Sequence, residues 1–409
     1  MLRKSVREWG LSIFVLDCAL GYLALVFRPA GHHYAIFSGG ARYLWAGMSP
    51  YGADLGVPGI YLYSPSCAMF FFGLFSWLPQ RLGQGLYMLA SLAVLFAGGH
   101  ALLGVMREKL GFELQGTPLR HLFWLMAGSE VLGAILGAKI EIFMLGVQLY
   151  ALALLLGGRR EWLAGLLFGA MTNWKFQPLP VIGLVSLILL VHRRVVPVFA
   201  FAAGLAIFYL APAAFLPWPF FLEIHREWNA SLAGFLPGGW LGQIYQHVYA
   251  FLVRGLGVEI GLRHAQLASV IAGATLAAVL LAWHARLRML AGDALALRVG
   301  LLVAAGVGSA FVVLFNPMSQ SNGYLLYLPL LLPVIWMARE TGKELQAGVV
   351  MVVAFVTISL LYSDIPPRPH YRLAYAQAWK PLGVVLLLSW LGRAAYLSTA
   401  RQRQALIIE

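Results

Sequence analysis

Charged side chains are scarce in this chain of 409 residues, in which Asp, Glu, Lys and Arg together make up 11%. A soluble domain carries about 25% charged residues, whereas hydrophobic residues here reach 61% and the mean hydropathy is +0.79. This balance excludes a soluble globular protein and predicts an integral membrane protein. The first apolar run, 11–27, has no small-residue cleavage site, so we expect it to be retained as a helix.

Cysteine is also rare, and Cys18 and Cys67 both lie in apolar surroundings without metal-ligand spacing. They are expected to be packing residues. The sequence has no phosphate-binding P-loop, no GxGxxG after a strand, no HExxH and no low-complexity linker. Nothing therefore indicates a soluble domain, and residues 1–409 are predicted to form one integral membrane domain.

Acidic residues are fewer than basic ones, 16 against 29, which gives a formal net charge of +13. Lys and Arg concentrate in short loops, where they orient a membrane protein with its positive side inward. This distribution predicts no nucleic-acid partner. It favours a multi-pass protein of the cell inner or plasma membrane with both termini in the cytoplasm.

Apolar segments predict an all-α polytopic protein with about twelve transmembrane helices. The pair 161–173 and 178–192 is short for a crossing. The predicted segments are 11–27, 84–105, 119–136, 139–157, 161–173, 178–192, 196–213, 264–286, 295–315, 323–338, 345–362 and 379–396.

The run 65–79 (PSCAMFFFGLFSWLP) leaves two topologies open. If it crosses the membrane, the basic clusters that follow it face outward, against the positive-inside rule. We therefore expect it to lie along the membrane surface. The clusters are Arg107 with Lys109 and Arg120, Arg159 with Arg160, and Arg193 with Arg194.

Two long extracytoplasmic loops follow from this topology, at 28–83 and 214–263, each with juxtamembrane helices. The first loop is predicted to carry interfacial helices at 34–46 and 65–79, because the apolar side chains of 34–46 recur at helical spacing. Those side chains are Tyr34, Phe37, Ala41, Leu44 and Trp45.

Two motifs of the outer side resemble those of a known family. The stretch 40–65 (GARYLWAGMSPYGADLGVPGIYLYSP) has Gly-x-x-Pro-Tyr followed by Tyr-x-Tyr-x-Pro, and 157–178 (GGRREWLAGLLFGAMTNWKFQP) ends in Lys-x-x-Pro. In this order they resemble the GT87 mannosyltransferase-like family of GT-C type membrane glycosyltransferases. The resemblance extends along residues 11 to 340.

The resemblance implies a GT-C type helical bundle that uses a polyprenyl-phosphate-sugar donor. A hydroxyl of a lipid or glycan acceptor would attack the anomeric carbon on the extracytoplasmic face, and the lipid phosphate would leave. The sugar would be a mannose-like hexose or a pentose. The reaction needs a base for the hydroxyl and positive charge at the phosphate. No cofactor is expected, and a divalent metal is possible but not indicated.

The first-loop Asp of that family falls at position 33, where this chain has His33. Three interpretations stay open. His33 is itself the base, since an imidazole titrates near neutrality. Asp54 or Glu141 has taken the role. Or the protein has lost this chemistry or uses another donor. His32 and His33 also suit hydrogen bonding to lipid head groups.

Lys175, in the Lys-x-x-Pro motif, is predicted to bind the donor phosphate, and snorkelling to the interface is the alternative. Lys139 lies in the turn GAKIE beside Glu141; the two form a pair or have separate partners. Further phosphate candidates are Arg226, Arg368 and Arg372. Candidates for sugar or acceptor binding are His32, Tyr51, Asn173, Gln177, Ser319 and Asn322.

Two acids, Asp17 and Glu130, fall inside predicted crossings, where an ionisable group needs a partner or a cavity. Two other functions remain open. A lipid or sugar transporter would show internal repeats and polar residues at the midplane, and neither pattern is present here. A non-catalytic subunit of an envelope glycan assembly system fits the missing Asp.

Overall fold

The computed structural model describes residues 9–27, 32–56, 61–239, 241, 246–316, 321–362, 373–374 and 376–408. Within these residues, the side chains of 32, 235–239, 321–323 and 400–408 are not described. The described chain is built of helices and contains no strand, which confirms the all-helical class.

The first half of the chain begins with helix α1 (Trp9–Phe27), and the first outer loop contributes two more helices. These are α2 (His32–Trp45) and α3 (Cys67–Ser76), whose first turns, Cys67–Phe72, are π-helical. The next helices are α4 (Gln80–Leu110), α5 (Arg120–Leu136), α6 (Glu141–Gly157), α7 (Glu161–Trp174), α8 (Leu179–Val191), α9 (Val196–Leu210) and α10 (Trp218–Gly239).

The described part of the second half contains three long apolar helices, two shorter ones and several non-α segments. A 3₁₀ stretch, Ser321–Leu330, runs directly into an α-helix, so the predicted crossing 323–338 is not a uniform helix. The helices are α11 (Leu262–Ala291), α12 (Asp293–Phe315), α13 (Leu331–Glu340), α14 (Glu344–Ile358) and α15 (Lys380–Ile408).

Helix length divides the bundle into two groups. In the described part of the chain, six helices are long and apolar enough to cross a membrane: α1, α4, α9 with its extension to Ala214, α11, α12 and α15. Helices α6, α7 and α8 have 17, 14 and 13 residues. At 1.5 Å per residue, even α6 spans only about 25 Å of a hydrocarbon core of about 30 Å. The number of crossings stays a prediction.

Close backbone contacts join neighbouring helices. Helix α4 meets α6 at Gly98 and Gly146, where a Cβ on Gly146 would lie 2.5 Å from the Leu95 nitrogen. Helix α7 meets α9 in the same way at Gly169, where a Cβ would lie 2.5 Å from the Leu205 nitrogen. Glycine permits such approach because helices in lipid associate through packing.

Segment 65–79 forms helix α3, which is only about 15 Å long and cannot cross a bilayer by itself. Cys67, Met69 and Phe72 are buried in protein, while Leu74 and Trp77 are each 71% exposed. The segment thus packs largely on its own chain, and its length fits the topology in which it does not cross.

The predicted helix 34–46 is confirmed as α2, and its apolar face is turned into the protein. Tyr34, Phe37 and Leu44 are buried, whereas Trp45 is exposed. The Tyr34 hydroxyl donates to the Phe75 carbonyl at 3.1 Å, and Arg42 Nε donates to the Ser76 carbonyl at 2.8 Å. Helix α2 therefore holds α3 in place.

Of the two intramembrane acids, Glu130 has a charged partner on the last helix. Lys380 Nζ lies 3.2 Å from Glu130 Oε1, and both side chains are buried. The Ser359 hydroxyl donates to the same oxygen at 2.9 Å. This cluster ties α5 to α15. Asp17 is partly buried and lies against Gly128 of α5.

The contact between α4 and α6 can be tested with two adjacent glycines. Gly98→Ala should lower the melting temperature in detergent by several degrees, because its Cβ would collide with the Gly146 carbonyl. Gly99→Ala is the control, since its Cβ would meet nothing within 4 Å, and Ala favours a helix by about 1 kcal/mol over Gly. Equal melting temperatures for the two variants would contradict this packing.

Candidate active site

An ion pair between Lys175 and Glu141 lies at the centre of the candidate site. Lys175 Nζ is 2.6 Å from Glu141 Oε1; the lysine side chain is 24% exposed and the carboxylate 4%. Glu141 is the first residue of α6, and Lys175 ends α7 with extended backbone. Because the two helices are joined by a short turn, these termini lie at the same end. Each charge also has the sign that its helix end favours.

Lys139 adds a second amino group to this cluster. It lies in the turn between α5 and α6 and is buried. Burial and, to a smaller extent, the nearby Lys175 charge lower the pKa of Lys139 to about 8, against the opposing effect of the Glu141 carboxylate. The sequence left open whether Glu141 pairs with Lys139 or with another residue. In the structure Glu141 accepts a hydrogen bond from Lys175.

The first outer loop covers the cluster. Lys175 Nζ lies 5.6 Å from the centre of the Tyr63 ring, within cation–π range. Ser64 Oγ donates to Asn173 Oδ1 at 3.2 Å, and the Ser66 hydroxyl donates to the same oxygen. Asn173 is buried in the last turn of α7. The Tyr-x-Tyr-x-Pro motif is thus attached to the helix end that carries Lys175.

Aromatic rings pack helix α3 onto the same helix ends. Phe71 stacks on Trp174 with ring centres 5.1 Å apart, and its ring centre lies 4.5 Å from that of Phe143. Tyr87 of α4 packs against Phe71 on another side. The short helices α6 and α7 therefore end below a cover made by α3.

Several buried polar atoms of residues at the start of α6 and at or just after the end of α7 have no hydrogen-bond partner in the described part of the chain. They are Glu141 Oε2, Thr172 Oγ1, Trp174 Nε1 and Gln177 Oε1. Buried polar groups are normally bonded, so a cluster of unpaired ones calls for an explanation. A polar ligand beside Lys175 would supply these partners.

Helix α10 of the second long loop closes the site on another side. Trp228 stacks on Phe176 with ring centres 5.5 Å apart, and its Nε1 donates to the Leu62 carbonyl at 3.0 Å. The neighbouring Glu227 accepts a hydrogen bond from Ser49 through Oε2. These contacts join both outer loops to the residue after Lys175.

Tyr51, the tyrosine of Gly-x-x-Pro-Tyr, contacts the second motif of the same loop at Tyr63. Its hydroxyl donates to the Tyr63 carbonyl at 2.7 Å. Burial raises the pKa of Tyr51 well above its ordinary value, and the nearby Glu227 carboxylate acts in the same direction. The phenol is therefore a neutral donor at physiological pH.

The other two proposed bases lie away from the ion pair. Asp54 is exposed; its Oδ1 accepts from Gly56 N at 2.9 Å, and its carbonyl accepts from the Tyr43 hydroxyl at 3.0 Å. His33 packs against Phe37, and Phe37 in turn packs against Tyr63. His33 is thus connected to the site through two aromatic rings.

The remaining predicted residues are spread over the outer side. Gln177 follows Lys175 by two positions and is partly buried, whereas Arg226 is exposed on α10. Arg368, Arg372 and Ser319 lie outside the described residues, as do the side chains of His32 and Asn322.

Sequence reasoning missed Ser64, Ser66 and Glu227. The two serines flank the proline of the first-loop motif, and that position was the available signal. The sequence around Glu227 contained no such signal, because its hydrogen-bond partner, Ser49, lies 178 positions earlier in the chain.

The described chain is all-helical, and its buried charged cluster lies at one end of helices α6 and α7. The family model of glycosyltransferase family 87 matches residues 61–317, more than half of the chain. The protein belongs to this family and is a GT-C type membrane glycosyltransferase, as the two motifs predicted.

The fold is similar to the crystal structure of ArnT from Cupriavidus metallidurans in the apo state, with a TM-score of 0.41 and 15% sequence identity. That similarity covers 96% of this chain and 78% of the other. No curated protein matches the sequence significantly.

The charge of Lys139 predicts a pH dependence of anion binding. Lys139 is protonated below its pKa of about 8, so affinity for a synthetic polyprenyl phosphate should fall several-fold as the pH rises from 7 to 9. Lys139→Met should bind more weakly at pH 7 and lose this dependence. Glu141→Gln should shift the midpoint downward, because the carboxylate raises the pKa of Lys139. A wild-type affinity that is flat across this range would contradict the role of Lys139.

Proposed function

We propose that the protein transfers a mannose-like hexose or a pentose from a polyprenyl-phosphate donor to a hydroxyl of a lipid or glycan acceptor. The observation that supports this most directly is the Lys175–Glu141 ion pair, with Lys139 beside it, beneath the first outer loop. The proposed setting is the extracytoplasmic face of the plasma membrane, with both termini in the cytoplasm.

The charges suit a leaving phosphate. Two lysines and one carboxylate leave an excess of one positive charge when all are ionised. The donor phosphate gains negative charge as its bond to the sugar breaks, so fixed positive charge stabilises the transition state more than the bound donor. In this proposal Lys175 contacts the phosphate, Glu141 orients Lys175, and the lysines rather than a metal neutralise the charge.

The sugar would occupy the space bordered by both outer loops. Tyr51, Asn173 and Gln177 contribute polar groups to its walls, and the unpaired atoms near Lys175 provide donors and acceptors for hydroxyls. Arg226, Arg368 and Arg372 remain proposed phosphate ligands. His32, Ser319 and Asn322 remain proposed sugar ligands, and His33 and Asp54 remain proposed bases.

Lys175→Met tests the proposal. With purified protein and a panel of polyprenyl-phosphate hexoses and pentoses, this change should lower kcat/KM by about 10²–10³-fold, the usual effect of removing one charge-stabilising donor. Adding EDTA should leave wild-type turnover unchanged.

Lys109→Met is a matched control. Lys109 lies 2.6 Å from Glu108, the same distance as between Lys175 and Glu141, and its side chain is 28% exposed. It belongs to the last turn of α4, away from the candidate site. The Lys109→Met variant should be as active as the wild type. Full activity of Lys175→Met would contradict the site.

Counterflow of donor in proteoliposomes without sugar transfer would favour a transporter, and lack of turnover by the purified chain would favour a non-catalytic subunit.

A further inference from the structure

Glu227 is a carboxylate that the proposed phosphate site does not use. It lies on α10, is only partly exposed, and accepts a hydrogen bond from Ser49 in the Gly-x-x-Pro-Tyr turn. That bond engages Oε2, one of its two oxygens. Glu223, one turn earlier on the same helix, is exposed.

Two series of contacts connect Glu227 to Lys175. On one side the series runs through Trp228, which follows Glu227, to Phe176, which follows Lys175. On the other side, Ser49 leads through the backbone to Tyr51, whose hydroxyl bonds to Tyr63. The ring of Tyr63 lies under Lys175.

Two other described carboxylates of this region, Glu141 and Asp54, are engaged in different interactions. Glu141 is bonded to Lys175, so protonation during catalysis would disrupt the charge that holds the phosphate. The Asp54 carboxylate accepts a backbone bond within its own exposed loop. Glu227 is held by a neutral hydroxyl donor, which orients a carboxylate without a cationic partner in that bond.

We propose that Glu227 is the general base that activates the acceptor hydroxyl, and that Ser49 is a positioning residue that orients it. This inference rests on the proposed function. The acceptor hydroxyl gives its proton to the Glu227 carboxylate as its oxygen forms a bond to the anomeric carbon. The bond from that carbon to the phosphate oxygen breaks, and its electron pair leaves with the lipid phosphate beside Lys175. Glu227 then releases its proton to solvent.

The test measures turnover and donor binding in matched variants. Glu227→Gln should lower kcat by about 10²–10⁴-fold, the range for a general base, with the affinity for polyprenyl phosphate unchanged. Glu227→Asp should keep more activity than Glu227→Gln. Glu223→Gln, on the same helix, should behave as wild type.

A purely structural role is separated by chemical rescue. Glu227→Ala should regain turnover in proportion to added formate, which supplies a carboxylate but cannot hold the turn. Ser49→Ala should lose less activity than Glu227→Gln. Turnover of Glu227→Gln within threefold of wild type would overturn the proposal. So would a Ser49→Ala loss equal to that of Glu227→Gln without rescue by formate.

The outcome also distinguishes this inference from the proposed function. If the wild type and Glu223→Gln transfer sugar and Glu227→Gln does so equally well, only the role of Glu227 fails. If the wild type neither binds the polyprenyl phosphate nor transfers sugar, the proposed function itself fails. Preserved polyprenyl phosphate affinity in the Glu227 variants shows that they are folded.

Discussion

The ion pair between Lys175 and Glu141 depends on the shortness of the helices that carry it. Helices α6 and α7 have 17 and 14 residues, about 25 and 21 Å, and are therefore shorter than a bilayer core of about 30 Å. Their outer ends would leave polar backbone groups in lipid, which is not tolerated. Helix α3 and the two outer loops cover those ends, and this cover creates an enclosure around a charged pair.

The energetics of that pair favour a functional explanation. A buried ion pair seldom stabilises a fold more than apolar residues of similar size, because both charges lose hydration. Removing one partner, however, costs about 3–5 kcal/mol. The pair at Lys380 and Glu130 has its oxygens satisfied by Ser359 and lysine. At Glu141, by contrast, Oε2 has no hydrogen-bond partner in the described structure. A carboxylate oxygen left in this way fits the proposed binding site.

Local patterns predicted the parts of this protein that depend on local chemistry. Hydropathy predicted the apolar segments, helical spacing predicted α2, and two motifs predicted the family. The partners of Glu141, Asn173 and Glu227 were beyond such reasoning, because they come from segments between 34 and 178 positions away. The run 65–79 was ambiguous for a related reason: several of its apolar residues pack against protein, and composition alone does not separate such a helix from a lipid-facing one.

Position 33 shows why a missing motif residue does not by itself remove a chemistry. A base must lie within hydrogen-bond reach of the acceptor hydroxyl, and this is a condition on geometry rather than on sequence position. In our proposal helix α10 provides the base from the second loop, where Trp228 and Glu227 form hydrogen bonds with the first loop at Leu62 and Ser49. These contacts bring a carboxylate to the first loop. A histidine at position 33, which packs against Phe37, is compatible with a base supplied from helix α10.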